Sequence, residues 1–370
     1  MIAPQEDSSD RTENTEVSIL VPVFNEEAHL EDSVASMAEQ QDVERLEILL
    51  VDGGSTDDTP QILERLSAAD PRVRVLRNPR RVIPSGLNVG LRAARGRYVV
   101  RMDAHTRYPP DYVRRGVERL RRGGTGWVSG PQVPRGDSPV GCATALVLAS
   151  VWGRGGSGRW AVSGNEAEYQ LDTGVFCGVW ERSVLLEYGG WDERWERNED
   201  SELAGRFIAR GERLVCCREM AAEYRPRDSL RALVRQYWAN GRFRAKTTLR
   251  QPSSLRVTTL LPVGVAASAV LAAAGPPPLR GLGRAGIGIY AVAVTAATFH
   301  LWPRADTSQE ALIVPPVIVG MHLAFGLGFL VGLLGELRGG SINDPRSVRQ
   351  TREVYAPSLS RERVPRVAGA

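Results

Sequence analysis

Short apolar, β-branched runs recur at near-regular intervals between Val17 and about Gly130, and the stretches separating them carry apolar residues at helical spacing. The runs predict strands over Val17–Val23, Leu46–Val51, Val73–Leu76, Tyr98–Met102 and Gly126–Gly130. The intervening stretches predict helices over Glu26–Gln40, Asp57–Ala69, Ser85–Ala94 and Pro110–Arg122, the second opened by Ser55-Thr56-Asp57 as a cap. Such alternation belongs to the α/β class, with a doubly wound, mainly parallel sheet. In a sheet of that kind ligands bind beyond the carboxyl ends of the strands, near the point where strand order reverses. Residues 153–195, rich in glycine, tryptophan and polar side chains, predict loops serving a second, acceptor-facing half of the domain, and Glu199–Arg210 predicts a further helix.

The pattern changes abruptly after Arg250. Val257–Ala274, Ala285–Trp302 and Ala311–Leu334 are apolar, contain no Asp, Glu, Lys or Arg, and approach the roughly 20 residues needed to cross a bilayer. The expected organisation is a polar leader (1–16), an α/β catalytic domain (17–250), a membrane region of two to three helices (251–337) and a basic polar tail (338–370). Three crossings from a cytoplasmic domain would export a tail with seven arginines, against the positive-inside tendency. Val257–Ala274, interrupted by Pro262, is the weakest of the three spans.

Composition narrows the function classes. The 370 residues carry 47 basic and 43 acidic side chains, a formal charge of +4, with 42% hydrophobic content. That content supports a buried core, and the scatter of arginines among carboxylates argues against a nucleic-acid partner. Lys246 is the only lysine, an arginine bias that points to a GC-rich bacterial genome. Cys142, Cys177, Cys216 and Cys217 lack zinc-site spacing and predict no disulfide framework. The first sixteen residues have no apolar core and read as no signal peptide, which leaves the catalytic domain on the cytoplasmic side.

Candidate chemistry gathers at the predicted strand ends. After the first come Pro22, Phe24 and Glu26; after the second, Asp52 and a Gly-Gly-Ser-Thr turn. Phe24 offers a stacking surface for a base, and Asp52 an acceptor for a uracil N–H or ribose hydroxyl, although a strand followed by a capped helix accounts for either motif alone. The fourth strand runs into Asp103-Ala104-His105. A carboxylate and an imidazole two residues apart point the same way on a strand, and the pair suits Mn2+ or Mg2+ bound to a diphosphate, manganese tolerating imidazole better. Glu199 and Asp200 open the later helix, where acidic residues are also expected from the helix dipole; either supplies a general base. Gln236, Trp238 and Arg242 precede the membrane region and are candidates for the acceptor or product side, Arg242 toward the product diphosphate, although aromatic and basic side chains there also serve as interfacial anchors.

Taken in order, these motifs resemble the family 2 glycosyltransferases, whose catalytic domain has the GT-A fold, over roughly Val17 to Arg250. They are most similar to the bacterial exopolysaccharide subgroup of succinoglycan-type glucosyltransferases, which likewise carry an Asp-Ala-His metal motif and C-terminal membrane helices. The resemblance implies that Pro22, Phe24, Glu26 and Asp52 surround the nucleoside, that Arg80 and Asn88 lie near the diphosphate, and that Asp103 and His105 hold the metal. It places Asp172, Gly174, Trp191 and Asp192 on the acceptor side and makes Asp200 the base, with Glu199 in reserve. His105 replaces a second aspartate, leaving one fewer negative charge on the metal, and Gln236-x-x-x-Asn240-x-Arg242 departs from the Gln-x-x-Arg-Trp pattern of processive synthases.

The activity implied is inverting transfer from a nucleotide diphosphate sugar, a UDP-sugar, to a lipid-linked saccharide at the bacterial cytoplasmic membrane, with other glycan-assembly proteins as partners. The rivals are a polyprenyl-phosphate sugar transferase and a catalytically inactive membrane assembly subunit.

Overall fold

The structure is a computed structural model that describes residues 16–41, 43, 45–154, 166–171, 177–250, 252, 255 and 257–339. Residues 1–15 of the expected leader and the tail from 340 onward lie outside the described residues.

The first strand, β1 (Val17–Val23), sets the layering. Val17, Ile19, Val21 and Val23 lie in one apolar layer and Leu20 in another, because successive side chains of a strand point to opposite faces. Both faces are covered, so the run reads as continuously apolar. There follow α1 (Leu30–Ala38), β2 (Leu46–Asp52), α2 (Thr59–Ala69), β3 (Val73–Arg77), α3 (Ile83–Ala93) and β4 (Tyr98–Arg101). The four strands pair in parallel, in the spatial order β3-β2-β1-β4. Strand order therefore reverses between β1 and β4, and their carboxyl ends frame the crevice such a sheet offers to ligands. Helices α1 and α2 pack on one face and α3 on the other.

Next come β5 (Thr106–Arg107), α4 (Tyr112–Arg121), β6 (Trp127–Ser129), β7 (Gln132–Pro134), α5 (Pro139–Ala149), α6 (Val151–Arg154), β8 (Glu168–Leu171), β9 (Val179–Glu181), α7 (Arg182–Glu187), α8 (Glu199–Ala209), β10 (Leu214–Cys217) and β11 (Ala222–Tyr224). The expectation of loops from 153 to 195 is corrected here. β9 inserts antiparallel between β4 and β6, and β10 and β8 extend the sheet to eight strands, β3-β2-β1-β4-β9-β6-β10-β8. Three- and four-residue strands are too short for a period-two pattern to register. A second sheet, β5-β11-β7, stands beside the mouth of the crevice.

The C-terminal part forms α9 (Leu230–Arg250), α10 (Val257–Ala274), α11 (Pro277–Leu301) and α12 (Ser308–Gly339). Three of these, Val257–Ala274, Pro277–Arg304 and Ser308–Arg338, are long and apolar enough to cross a membrane. The second and third exceed their expected bounds: Pro277 opens α11 in the first turn, where its missing N–H costs nothing, and α12 runs through Pro315 and Pro316. At 32 residues α12 is about 48 Å long, against a hydrocarbon thickness of about 30 Å.

The catalytic domain takes up part of that surface. Ala143, Val147 and Leu148 of α5 and Leu233 of α9 share one apolar layer with Val314, Val317, Ile318 and Met321 of α12. Of the apolar windows, 39% of α12 is buried, against 17% for α10 and for α11. α9 and α12 approach backbone to backbone through glycines. A Cβ on Gly241 would fall 2.0 Å from the Phe325 carbonyl oxygen, one on Gly328 2.3 Å from that of Trp238, and one on Gly332 2.6 Å from that of Arg242. Small residues of this kind let helices pack by dispersion where water provides no drive.

Overpacking a tight contact costs about 1–3 kcal/mol. Gly241→Ala is therefore expected to lower the Tm of the detergent-purified protein by several degrees, whereas Gly264→Ala, in open space on α10, leaves it unchanged or slightly raised, as differential scanning fluorimetry would report.

Candidate active site

The loops after β1 and β2 are sewn together. Asn25, held at φ +53°, donates its backbone N–H to Ser55 Oγ at 3.0 Å and accepts from the Thr56 N–H at 2.8 Å. The Glu26 N–H donates to Thr59 Oγ1 at 2.8 Å. Asp52 binds its own turn: one carboxylate oxygen accepts from the Gly54 N–H at 3.1 Å, the other from the Ser55 N–H at 3.1 Å and its hydroxyl at 2.7 Å. The expected Ser55-Thr56-Asp57 cap is thus corrected: Ser55 and Thr56 join the two loops, and only Asp57 reaches the helix, accepting from the Thr59 N–H at 3.1 Å. Phe24 lies over this rim, 53% exposed, with its ring beside Gly53.

Arg101, the last residue of β4, dominates the floor of the crevice. Its Nε donates to Asp103 at 3.1 Å, and its Nη1 to Glu199 at 2.9 Å and Asp200 at 2.6 Å. The side chains are 5% (Arg101), 13% (Asp103), 7% (Glu199) and 19% (Asp200) exposed. One guanidinium against three carboxylates leaves the cluster anionic. Burial above all, with Glu199 and Asp103 adding to it, raises the Asp200 pKa to about 7, even though Arg101 opposes the shift. Beneath, the Asp103 N–H donates to the Tyr108 hydroxyl at 2.7 Å, which lies 2.9 Å from Cys177 Sγ. Burial, then the Asp103 carboxylate, pushes that thiol's pKa well up, so Cys177 remains a packed, protonated support.

His105 stands at the mouth. Its Nδ1 lies 3.0 Å from Glu26 Oε1, and its ring meets Tyr224 edge-on at 5.9 Å. Burial would lower its pKa, but the Glu26 hydrogen bond and charge and the Asp103 charge outweigh this, and the net shift is upward. The expected strand alternation of Asp103 and His105 is corrected: β4 ends at Arg101, and Asp103-Ala104-His105 is a turn into β5, close enough that the Asp103 charge acts on the His105 ring.

Sequence comparison matches residues 18–166 to Glycosyl transferase family 2. The chain is 33% identical over 268 residues to the succinoglycan biosynthesis protein ExoA of Rhizobium meliloti, covering 70% of this chain and 78% of that protein. It belongs to glycosyltransferase family 2. A shorter match, 35% identity over 106 residues, links it to the chondroitin synthase of Escherichia coli, of whose length it spans 15%. Among solved structures, the mannosyltransferase PcManGT of Pyrobaculum calidifontis, in complex with GDP-Man and Mn2+, shares the fold with a TM-score of 0.53 at 22% identity, over 88% of both chains.

This glycosyltransferase brings some of the sequence-predicted residues together and diverts others. Pro22 and Asp52 lie in the last residues of β1 and β2, Phe24, Glu26, Asp103 and His105 on the loops beyond the carboxyl edge of the sheet, and Glu199 and Asp200 at the start of α8. Asn88 is 1% exposed and clamps the 191–193 loop: its amide donates to the Trp191 carbonyl at 2.8 Å and to Glu193 at 3.0 Å, and accepts from the Trp191 N–H at 3.0 Å. Arg80 pairs with Glu193 in the same loop. Arg81, unnoticed in the sequence, lies over the β2 turn instead, its Nε 3.1 Å from where a Cβ on Gly54 would stand. Trp191 is fully buried against Trp180, with its indole near enough to Asp200 to act on that carboxyl, and Asp192 is held by Arg194. Asp172 and Gly174 lie outside the described residues. Gln236 reaches the Tyr224 hydroxyl at 3.5 Å, while Trp238 and Arg242 sit on the α9–α12 seam.

Arg101, the residue the sequence reading passed over, is the cation on which the cluster depends. Removing one partner of a buried ion pair costs roughly 3–5 kcal/mol; Arg101→Gln is expected to lower Tm markedly and to abolish sugar transfer, and Arg101→Lys, which keeps the charge without the two-pronged geometry, to fall between, as unfolding and transfer assays on the same preparations would show.

Proposed function

We propose that this enzyme transfers a sugar, with inversion, from a nucleotide diphosphate donor, a UDP-sugar, to a lipid-linked saccharide at the cytoplasmic face of a bacterial membrane, in exopolysaccharide or cell-surface glycan synthesis. The observation that carries the reading is the meeting of Asp103 and Asp200 on Arg101 at the point where strand order reverses. The succinoglycan relative and the helices long enough to cross a membrane support the class of product and its place.

The donor set fits a divalent ion. Glu26 takes one ring nitrogen of His105 and leaves Nε2, the arrangement by which carboxylates orient metal-ligating histidines. Among the described residues the second oxygen of Asp103 accepts no protein hydrogen bond, and no group of three or more acidic, His or Cys side chains is placed to hold a metal. Asp103 and His105 would hold the ion, with diphosphate oxygens and water completing its shell. Bound there, Mn2+ or Mg2+ would neutralise charge developing on the departing diphosphate.

The remaining steps belong to the protein. Phe24 offers its exposed face to the base, and Arg81 its charge above the β2 turn. Asp200, more open than Glu199, accepts the acceptor hydroxyl proton as that oxygen attacks the anomeric carbon and the nucleotide diphosphate leaves from the opposite side. Attack from that side inverts the configuration. Close packing of α5, α9 and α12 holds the cleft beside the membrane helices, where a lipid-linked acceptor resides.

Two measurements test this. Asp200→Asn should reduce kcat by roughly 10²–10⁴-fold while donor affinity, measured by titration with UDP and Mn2+, is retained; full activity would move the base elsewhere. Because the base works deprotonated and its pKa is raised to about 7, kcat/KM should fall as pH drops below about 7 and level off above it; a profile flat down to the ordinary carboxylate range would contradict that assignment.

A further inference from the structure

Away from the crevice, three cations gather on one indole. Trp195 is 3% exposed, and around its ring centroid stand Lys246 Nζ at 4.6 Å and the guanidinium carbons of Arg250 at 4.6 Å and Arg194 at 5.9 Å. The Trp195 indole N–H donates to Thr247 Oγ1 at 3.1 Å, and Lys246 Nζ donates to the Arg194 carbonyl at 2.9 Å, which fastens the loop before α8 onto the last turns of α9. An aromatic face attracts a cation, but three like charges round a single ring repel one another. Arg194 has its counter-ion in Asp192. Among the described residues Lys246 and Arg250 pair with no carboxylate, and Arg250 Nε is buried without a hydrogen-bond partner. Burial, followed by the Arg250 charge, lowers the Lys246 pKa although the more distant Glu336 and Asp192 carboxylates oppose the shift.

The location indicates the missing anion. Arg250 ends α9, and the apolar helix α10 begins seven positions later at Val257. α9 lies along the second half of α12, whose apolar stretch closes near Arg338. The cluster thus stands where the polar domain meets the helices long enough to span, the level at which phosphate head groups lie and at which Trp and basic side chains concentrate.

We propose that Lys246 and Arg250, set on Trp195, bind the phosphate group of an anionic membrane lipid. The ammonium supplies rotatable donors and the guanidinium a planar pair, together matching the oxygens of one phosphate. The cluster shares no residue with the Arg101 site and does not rest on the reaction proposed above.

The test is lipid retention by the full-length, detergent-purified protein in native mass spectrometry, with phosphatidylglycerol and phosphatidylcholine offered at equal concentration. The wild type and Arg304→Gln, a control at the exposed turn between α11 and α12, are expected to retain phosphatidylglycerol in preference. Lys246→Gln/Arg250→Gln is expected to weaken that retention about tenfold or more, the loss of charge-assisted hydrogen bonds. Equal retention of the two lipids by the wild type, or undiminished phosphatidylglycerol retention by the double variant, overturns the proposal. Displacement by inorganic phosphate at the concentration of the lipid would make free phosphate the ligand and overturn the lipid assignment. If the double variant does not fold, Lys246→Gln and Arg250→Gln read the same quantity singly, and unchanged retention in both overturns it.

Discussion

Arg101 carries an electrostatic load that little else in the fold could bear. Its guanidinium, 5% exposed, is shared by Asp103 on its own strand end and by Glu199 and Asp200 on a helix nearly a hundred residues later. Three carboxylates collected without that cation would repel each other and shed their charge by binding protons. With it, Asp103 and Asp200 remain side by side in a shielded place. The same burial that makes the cluster costly tunes it, since desolvation raises the Asp200 pKa to about 7, into the range where a general base works best. The sheet supplies the geometry: β9 reverses direction beside β4, and the chain returns through α7 to bring the first turn of α8 over the Arg101 strand end.

From this cluster a chain of contacts leads to the helices long enough to cross a membrane. Glu26 orients His105, His105 meets Tyr224 at the end of β11, the Tyr224 hydroxyl accepts from Gln236 on α9, and α9 lies against α12 through glycines that admit no Cβ. Strand β11 pairs with β5, directly after the Asp103-Ala104-His105 turn, so the small sheet fixes that turn relative to α9. The apolar helix α12 is consequently part of the catalytic domain's own packing as well as a candidate span. Its extra length and greater burial follow from the two surfaces it serves.

Much of this was legible in the sequence because its cause is local. The five strands expected between Val17 and Gly130 announce themselves by composition, and all appear within two residues of their expected bounds, whereas the two-residue β5 gave no sign. The Asp-Ala-His and Asn-Glu-Asp motifs lie where strand and helix ends expose them. What escaped notice depends on contacts distant in sequence. β8 and β9 are too short to show a period, and they exist because neighbouring strands lend them partners. Asn88 looks like a polar residue free to meet a ligand, yet its amide is spent on the Trp191 backbone more than a hundred residues away. Arg101 reads as an ordinary residue of an apolar strand until α8 folds over it. The cations around Trp195 lie on opposite sides of a fifty-residue separation and assemble only when α9 packs.

The most direct test of the central claim is a cryo-EM reconstruction of the full-length protein in lipid nanodiscs with UDP and Mn2+. The account predicts density for the diphosphate in the cleft between Asp103 and Asp200, the ion on Asp103 and His105, and Arg101 still bridging the carboxylates. Nucleotide bound elsewhere, or Asp200 turned away from the diphosphate with Arg101 detached, would contradict it.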